Sequence, residues 1–140
     1  MGRVNKVKRV RTAIRRAAEW LRRASRPVSL GQRGERAAER YLKRQGYRIV
    51  ERNFRAAGAE IDLIAMDGDT IAFVEVKTRT SDYAGSAEDA VDGRKAERMR
   101  RAARVFEAQN RAGECAMRFD VVAIRADGAR MKIELLKDAF

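Results

Sequence analysis

Histidine does not occur in this chain of 140 residues. Catalytic arrangements that use an imidazole base, and zinc sites built on imidazole, are therefore excluded for this chain acting alone. If the protein is an enzyme, carboxylates, lysines and a hard metal ion bound by oxygen atoms must carry the chemistry.

Cysteine and long apolar runs are also scarce. Cys115 is the only cysteine, so no disulfide can form within the chain, and a reducing cytoplasm is the expected setting. No stretch approaches the roughly 18 consecutive apolar residues that a membrane-spanning helix needs, and the N-terminal residues lack the apolar core of a secretory signal. These features predict no membrane partner.

Acidic residues are fewer than basic ones: the chain has 20 Asp+Glu and 32 Lys+Arg. The resulting net charge of +12 favours a polyanionic partner. Residues 1–26 contain ten basic side chains and one acidic one, Glu19, a local net charge of +9. Their apolar residues recur every three or four positions, so we predict that this N-terminal arm is a basic amphipathic helix that ends before Pro27. Such an arm packs on the domain, becomes ordered on binding, lies on an anionic membrane or targets an organelle.

Residues 27–140 are predicted to form one α/β domain, with a central mixed sheet flanked by helices. One helix is predicted over residues 30–46 and a second, capped by Asp92, runs to about Asn110. Alternation and turn residues predict strands at residues 47–54, 60–66, 70–78, 116–126 and 131–137. Residues 79–91 lack periodicity and are predicted to form a loop.

The hairpin EIDLIAMDGDTIAFVEVKTRT, residues 60–80, carries charged side chains inside segments that otherwise suit a core. Alternation predicts that Ile61 and Leu63 share one strand face and that Asp62 lies on the other, while Glu75 and Lys77 share a face of the next strand. The turn between the strands is expected to bring Asp62 near Glu75. Two close carboxylates repel each other unless a cation neutralises them, and oxygen ligands select Mg²⁺ or Mn²⁺. With a lysine about 6 to 7 Å further along the strand, the pattern indicates a phosphodiester hydrolysis site.

Four segments occur in order along the chain: GQRGERAAERYLKRQGYRIVERNFR, EIDLIA, FVEVKTR and AVDGRKAERMRRAA. Together they resemble the bacterial YraN-like family of predicted endonucleases. That family belongs to the restriction-endonuclease-like superfamily, whose core motif is Asp followed by Glu-x-Lys, and it is similar to the archaeal Holliday junction resolvases. The resemblance extends from about Gly31 to the C-terminal strands and implies a restriction-endonuclease-like core.

The resemblance also implies roles for individual residues. Asp62 and Glu75 are expected to bind the metal directly, and Glu35 in the first helix to complete the metal site. Lys77 is expected to orient or deprotonate the attacking water and to stabilise the developing negative charge. Lys95, at the start of the long helix, is expected to contact a phosphate.

Further basic residues favour nucleic-acid binding on their own chemistry. Arg79 either binds phosphate or holds the loop that follows it, and Tyr83 in that loop can stack on an unpaired base. Arg94 and Arg98 belong to a basic flank of the long helix, which is either a solvated face or a surface for DNA.

Simpler structural roles compete with these assignments. The charged residues of the hairpin also fit a partly exposed strand face that carries a surface ion pair. Glu35 also fits a solvated glutamate in a helix rich in arginine and glutamate.

The predicted function is Mg²⁺-dependent hydrolysis of DNA phosphodiesters, in branched DNA by analogy with the resolvases. A homodimer is reasonable because a resolvase must cut two strands. The alternative is a non-catalytic nucleic-acid-binding module of the same fold, acting as a partner in DNA recombination or repair. A third possibility is a membrane-surface adaptor that uses the arm.

Overall fold

The computed structural model describes residues 27–86 and 91–140. The predicted arm and residues 87–90 of the predicted loop lie outside this part of the chain. The elements in chain order are α1 (Leu30–Arg44), β1 (Arg48–Ala56), β2 (Ala59–Asp67), β3 (Thr70–Thr80), α2 (Gly93–Asn110), β4 (Ala116–Asp127) and β5 (Arg130–Leu136). The two helices and five strands predicted for residues 27–140 are thus confirmed, with small shifts at their ends.

The strands form one mixed sheet in the order β1-β2-β3-β4-β5. Strands β3 and β4 are parallel, and the other neighbouring pairs are antiparallel. The chain crosses from β3 to β4 through α2, as a parallel connection requires. This five-stranded α/β architecture agrees with the restriction-endonuclease-like core that the sequence predicts.

Strand β3 is longer than the sequence predicts. Arg79 and Thr80 were predicted to belong to the loop, but they pair with Arg125 and Ala126 of β4. Strand β4, which runs parallel to β3, supplies hydrogen-bond partners for these two residues. The sequence around Arg79 and Thr80 does not show that this strand lies beside them.

The two helices cover opposite faces of the sheet. On one face, Ala38 and Leu42 of α1 pack in a buried cluster with Leu63 and Val74. On the other face, α2 contributes to a second cluster, whose members include Phe54, Ile61, Phe73, Met99 and Phe106. Each large apolar side chain buried in this way stabilises the fold by roughly 1.5 to 3 kcal/mol. None of the helices within residues 27–86 and 91–140 has the length and apolar character needed to cross a bilayer.

Side-chain caps fix where the helices begin. Ser29 accepts a hydrogen bond from the Gln32 N–H (3.2 Å), while the Gln32 side chain accepts one from the Ser29 N–H (3.1 Å). Asp92 accepts a hydrogen bond from the Lys95 N–H (2.8 Å), which confirms the predicted cap of α2. The caps place Glu35 early in α1 and Lys95 in the first turn of α2.

The prediction that Ile61 and Leu63 share a face is wrong. Ile61 packs in the cluster on the α2 face, whereas Leu63 packs in the cluster on the α1 face. Regular pairing of β2 with β3 ends at Leu63 and Val74, so the strict alternation of a paired strand does not continue through Asp62. This irregularity lies at Asp62, one of the residues predicted to bind the metal.

Candidate functional site

The site is built where β2 separates from β3. Beyond the last regular pair, Leu63 with Val74, the Asp62 carboxylate Oδ2 accepts a hydrogen bond from the Val76 N–H at 2.7 Å. A side chain thus satisfies a backbone donor that a neighbouring strand would otherwise satisfy. The bond holds Asp62 beside Glu75, as the sequence predicts.

Glu75 is buried, with 3% of its surface exposed. Its Oε1 accepts a hydrogen bond from the Lys95 ammonium. Its Oε2 is also buried and has no hydrogen-bond partner among the described residues. An unpartnered buried carboxylate oxygen is unfavourable, and it is the kind of atom that a hard cation binds.

The Asp62 carboxyl lies in surroundings that disfavour its negative charge. Burial raises the pKa of Asp62, and the neighbouring Glu75 carboxylate raises it further, to about 7. The Val76 N–H and the positive charge of Lys95 act in the opposite direction on this pKa. The carboxyl groups of Asp62 and Glu75 therefore share one desolvated position. The ammonium group of Lys95, on α2, lies beside them.

Glu35 approaches the same position from the other side of the sheet. Burial raises the pKa of Glu35, and the negative charge of Asp62 raises it further. The approach depends on Gly34, where a Cβ atom would lie only 1.7 Å from Thr78 Oγ1 on β3. Because Gly34 has no side chain, α1 packs close to β3 and brings Glu35 near Asp62.

The three predicted metal ligands are neighbours, but they do not form a closed ligand shell. Within residues 27–86 and 91–140, no group of three or more acidic or cysteine side chains is placed to hold a metal ion. Lys95 already neutralises one oxygen of Glu75. In donor type and charge, Asp62, Glu75 and Glu35 fit a hard divalent cation such as Mg²⁺ or Mn²⁺.

A cavity of 310 Å³ opens beside Asp62. Its lining consists of Gly58, Ala59, Glu60, Asp62, Lys95, Arg98 and Met99. Of the residues predicted to contact nucleic acid, Lys95 and Arg98 line this cavity. Arg94 is exposed at the start of α2 and lies outside the lining.

Lys77 and Arg79 lie further along β3, in a different recess. Both line a smaller cavity of 80 Å³, together with residues of β4, β5 and the loop after β3. Lys77 is half-buried and follows Glu75 by two residues on the same strand face. Lys77 therefore lines the smaller recess and is not part of the lining of the Asp62 cavity.

Asn53 is a further residue beside the candidate site, and the sequence did not single it out. It lies in β1 between Arg52 and Phe54, which pair with Leu63 and Ile61, so it faces the position of Asp62. Its φ of 51° is in the left-handed region, which asparagine tolerates better than most residues. Its side chain donates a hydrogen bond to Glu60 Oε1 (3.2 Å), and hydrogen bonding to it lowers the pKa of Glu35. Asparagine is uncommon inside strands, so its presence within β1 was the feature of the sequence that could have identified this residue.

Comparison with known proteins supports the resemblance drawn from the sequence motifs. The model of the uncharacterised protein family UPF0102 matches residues 34–124. A UPF0102 protein of Geobacter metallireducens is 46% identical over 112 residues, which cover 80% of this chain and 92% of the relative. A UPF0102 protein of Solibacter usitatus is 46% identical over 127 residues, covering 89% and 96%. The resemblance to the YraN-like proteins is confirmed at the level of the family. The matched segment contains Glu35, Asp62, Glu75 and Lys95, and on this evidence the chain belongs to the uncharacterised protein family UPF0102.

Proposed function

We propose that this protein is a metal-dependent endonuclease that hydrolyses DNA phosphodiesters. One observation carries the proposal: Asp62 lies beside a buried Glu75 whose Oε2 has no partner among the described residues. Such a pair is unfavourable when both carboxyl groups are ionised, unless a further positive charge neutralises it. Protonation of Asp62 relieves the repulsion below about pH 7, and a divalent cation would relieve it above that pH. Carboxylate oxygens favour Mg²⁺ or Mn²⁺.

The residues of the site divide into two groups. Asp62 and Glu75 are the proposed ligands, with Glu35 approaching from α1, and the Val76 N–H holds the Asp62 carboxylate in place. A divalent ion supplies Lewis-acid polarisation of the phosphoryl oxygens when it is bound. Lys77 is proposed to stabilise the negative charge that develops on the scissile phosphate and to orient or deprotonate the attacking water.

The basic residues beside Asp62 fit the negative charge of the substrate. Lys95 and Arg98 line the cavity next to the carboxylates, where they can contact DNA phosphates. Lys95 also neutralises Glu75 in the absence of a metal. The lysine and a divalent cation therefore compete for the same carboxylate, and Lys95 is available for a phosphate once it leaves Glu75.

Branched DNA is the proposed substrate, on the analogy with the Holliday junction resolvases. A homodimer and a cytoplasmic setting belong to the same proposal. The shape preference is carried by the analogy alone, because a fold does not determine its substrate.

The test is cleavage of end-labelled four-way junction, flap, duplex and single-stranded DNA with Mg²⁺, Mn²⁺ or EDTA. Wild type is compared with Lys77→Ala and Asp62→Asn, and Arg40→Ala is the control because Arg40 is exposed on α1. We expect metal-dependent cleavage by wild type and the control, and a loss of at least about 100-fold in either site variant. Cleavage that is equal in all four proteins would indicate a contaminating nuclease and would contradict the assignment.

A non-catalytic nucleic-acid-binding module is the second candidate, and two findings favour it. Lys95 already pairs with Glu75, and the described residues hold no preformed group of three metal-ligand side chains. This candidate predicts tight binding of the junction without cutting in any metal, and binding that is unchanged by Asp62→Asn. That result would replace the endonuclease proposal.

A further inference from the structure

The face of the sheet beyond Lys77 carries basic side chains that the proposed chemistry does not use. Parallel pairing places Arg79 of β3 beside Arg125 of β4, and antiparallel pairing places Lys132 of β5 on the other side of Arg125. Neighbouring strands are about 4.8 Å apart. The three charges therefore form a row across the sheet, and Lys77 lies one row nearer to Glu75.

Like charges on neighbouring strands destabilise a sheet, so this row is unfavourable for folding. Lys132 has no hydrogen-bond or ion-pair partner within residues 27–86 and 91–140. Among the described residues, the lining of this 80 Å³ recess combines four basic side chains with one acidic side chain, that of Glu134. The charge of this described lining suits an anion.

The loop after β3 is fixed at the edge of this recess. The Arg125 guanidinium donates hydrogen bonds to the carbonyl oxygens of Tyr83 (2.7 Å) and Gly85 (2.6 Å). The Arg79 guanidinium lies 3.6 Å from the centre of the Tyr83 ring, a stabilising cation–π contact. Arg125 therefore holds the wall of the recess, while the remaining donors of Arg79 and Lys132 are available to a ligand.

Helix α2 leaves this part of the sheet accessible. It packs mainly against β1 and β2, whereas the basic row spans β3, β4 and β5. The row is on the same strand face as Glu75 and Lys77, because residues two apart on a strand point the same way. An anionic chain that reaches the Asp62 cavity can continue past Lys77 onto the row.

From this continuity of positive charge we propose that Arg79, Arg125 and Lys132 form a second binding site, for the backbone phosphates of the DNA strand that leads away from the cleavage position. The inference rests on the proposed function for the identity of the polyanion. The site binds phosphate and not base edges, so it contributes affinity and register without sequence preference.

Binding of a labelled four-way junction in EDTA tests the site without any dependence on cleavage. The double variant Arg79→Gln/Lys132→Gln is compared with Arg40→Gln/Arg44→Gln, which removes the same charge from exposed positions of α1 on the other face. We expect the slope of log affinity against log salt to become shallower by about 2 in the first variant. The α1 variant should keep the wild-type slope. Equal slopes in the two variants would overturn the proposal.

Backbone amide NMR of the wild-type full chain supplies a second measurement that needs no substitution. Titration with a short DNA duplex should shift the amides of β3–β5 around Arg79, Arg125 and Lys132. Shifts confined to other parts of the chain would overturn the proposal, and so would equal shifts with polyglutamate at matched charge, since they would assign the recess to an acidic protein segment. If DNA binds the row but is never cut, the endonuclease assignment fails while this site stands.

Discussion

Asp62 is an acid held where its charge is unfavourable. Its carboxylate accepts a 2.7 Å hydrogen bond from the Val76 N–H, yet burial and then Glu75 raise its pKa to about 7. A surface aspartate would have no such shift, and the surface ion pair considered from the sequence does not describe a glutamate that is 3% exposed. At the residue scale, Asp62 and Glu75 are therefore two neighbouring carboxyl groups whose simultaneous ionisation is unfavourable.

The raised pKa of Asp62 makes stability depend on pH. Between pH 4 and pH 7 the folded state holds a proton on Asp62 that the unfolded chain has lost, so the free energy of unfolding decreases as the pH rises through this window. The expected effect is on the order of a few kcal/mol. Asp62→Asn removes the titration and keeps an oxygen that accepts from Val76.

Urea denaturation in EDTA at pH 5 and pH 8 measures this effect. The wild type should lose stability relative to Asp62→Asn as the pH rises. Glu39 and Asp67 do not interfere, because their basic partners lower the pKa of each to about 2 and both stay ionised across the window. Parallel pH profiles for the two proteins would show that Asp62 ionises freely.

At the scale of secondary-structure elements, the site depends on how closely α1 approaches β3. Gly34 makes that approach possible, since a Cβ atom there would lie 1.7 Å from Thr78 Oγ1 and 2.9 Å from Thr78 Cβ. Both clashes involve a strand residue whose backbone is fixed in the sheet. The position is therefore restricted to glycine by packing and not by backbone conformation.

Gly34→Ala should destabilise the protein by about 1 to 3 kcal/mol, because it pushes α1 away from β3. Gly31→Ala is the matched control, since its nearest neighbour would be Ser29 Oγ at 3.9 Å, and it should be neutral or stabilising by up to about 1 kcal/mol. Thermal denaturation of both variants checks the pair. A Gly34→Ala variant as stable as Gly31→Ala would mean that α1 does not pack as described.

The elements themselves were readable from the sequence, because period, caps and turns are local signals. Asp92 was predicted to cap α2, and it does. Three features of the site were not predicted. Strand β2 separates from β3 at Asp62, the Ile61 side chain packs on the α2 face, and Lys95 contacts Glu75. Each of these depends on partners distant in sequence, and alternation within one strand does not report them.

At the scale of the whole molecule, a cluster of charged side chains separate from the candidate site stabilises the face of the sheet opposite Glu75. Asp120 is fully buried and accepts hydrogen bonds from Arg118 at 2.7 and 2.8 Å. Arg118 also donates to Asp67 at 2.8 Å and to the Tyr47 hydroxyl at 2.9 Å. The cluster thus joins β4 to the turn between β2 and β3 and to the start of β1.

Asp120→Asn should lower the free energy of unfolding by about 3 kcal/mol, because it leaves Arg118 short of a buried partner. Divalent-metal affinity should not change, since Asp120 lies with Tyr47 on the face opposite Glu75. Chemical denaturation and metal titration of the same variant separate these two outcomes. A large loss of metal affinity at unchanged stability would place Asp120 in the functional site instead.

The molecule as a whole is explained as a nuclease only if Asp62 and Glu75 hold a divalent cation. The most direct measurement is Mn²⁺ binding to the full chain without DNA, by electron paramagnetic resonance of the free ion at pH 7.5. We predict one bound ion in wild type, at least about 10-fold weaker binding in Glu75→Gln, and tighter binding in Lys95→Met because the competing ammonium is gone. Arg101→Met, an exposed change on α2, should match wild type. Absence of binding in wild type, or equal affinity in all four proteins, would contradict the account.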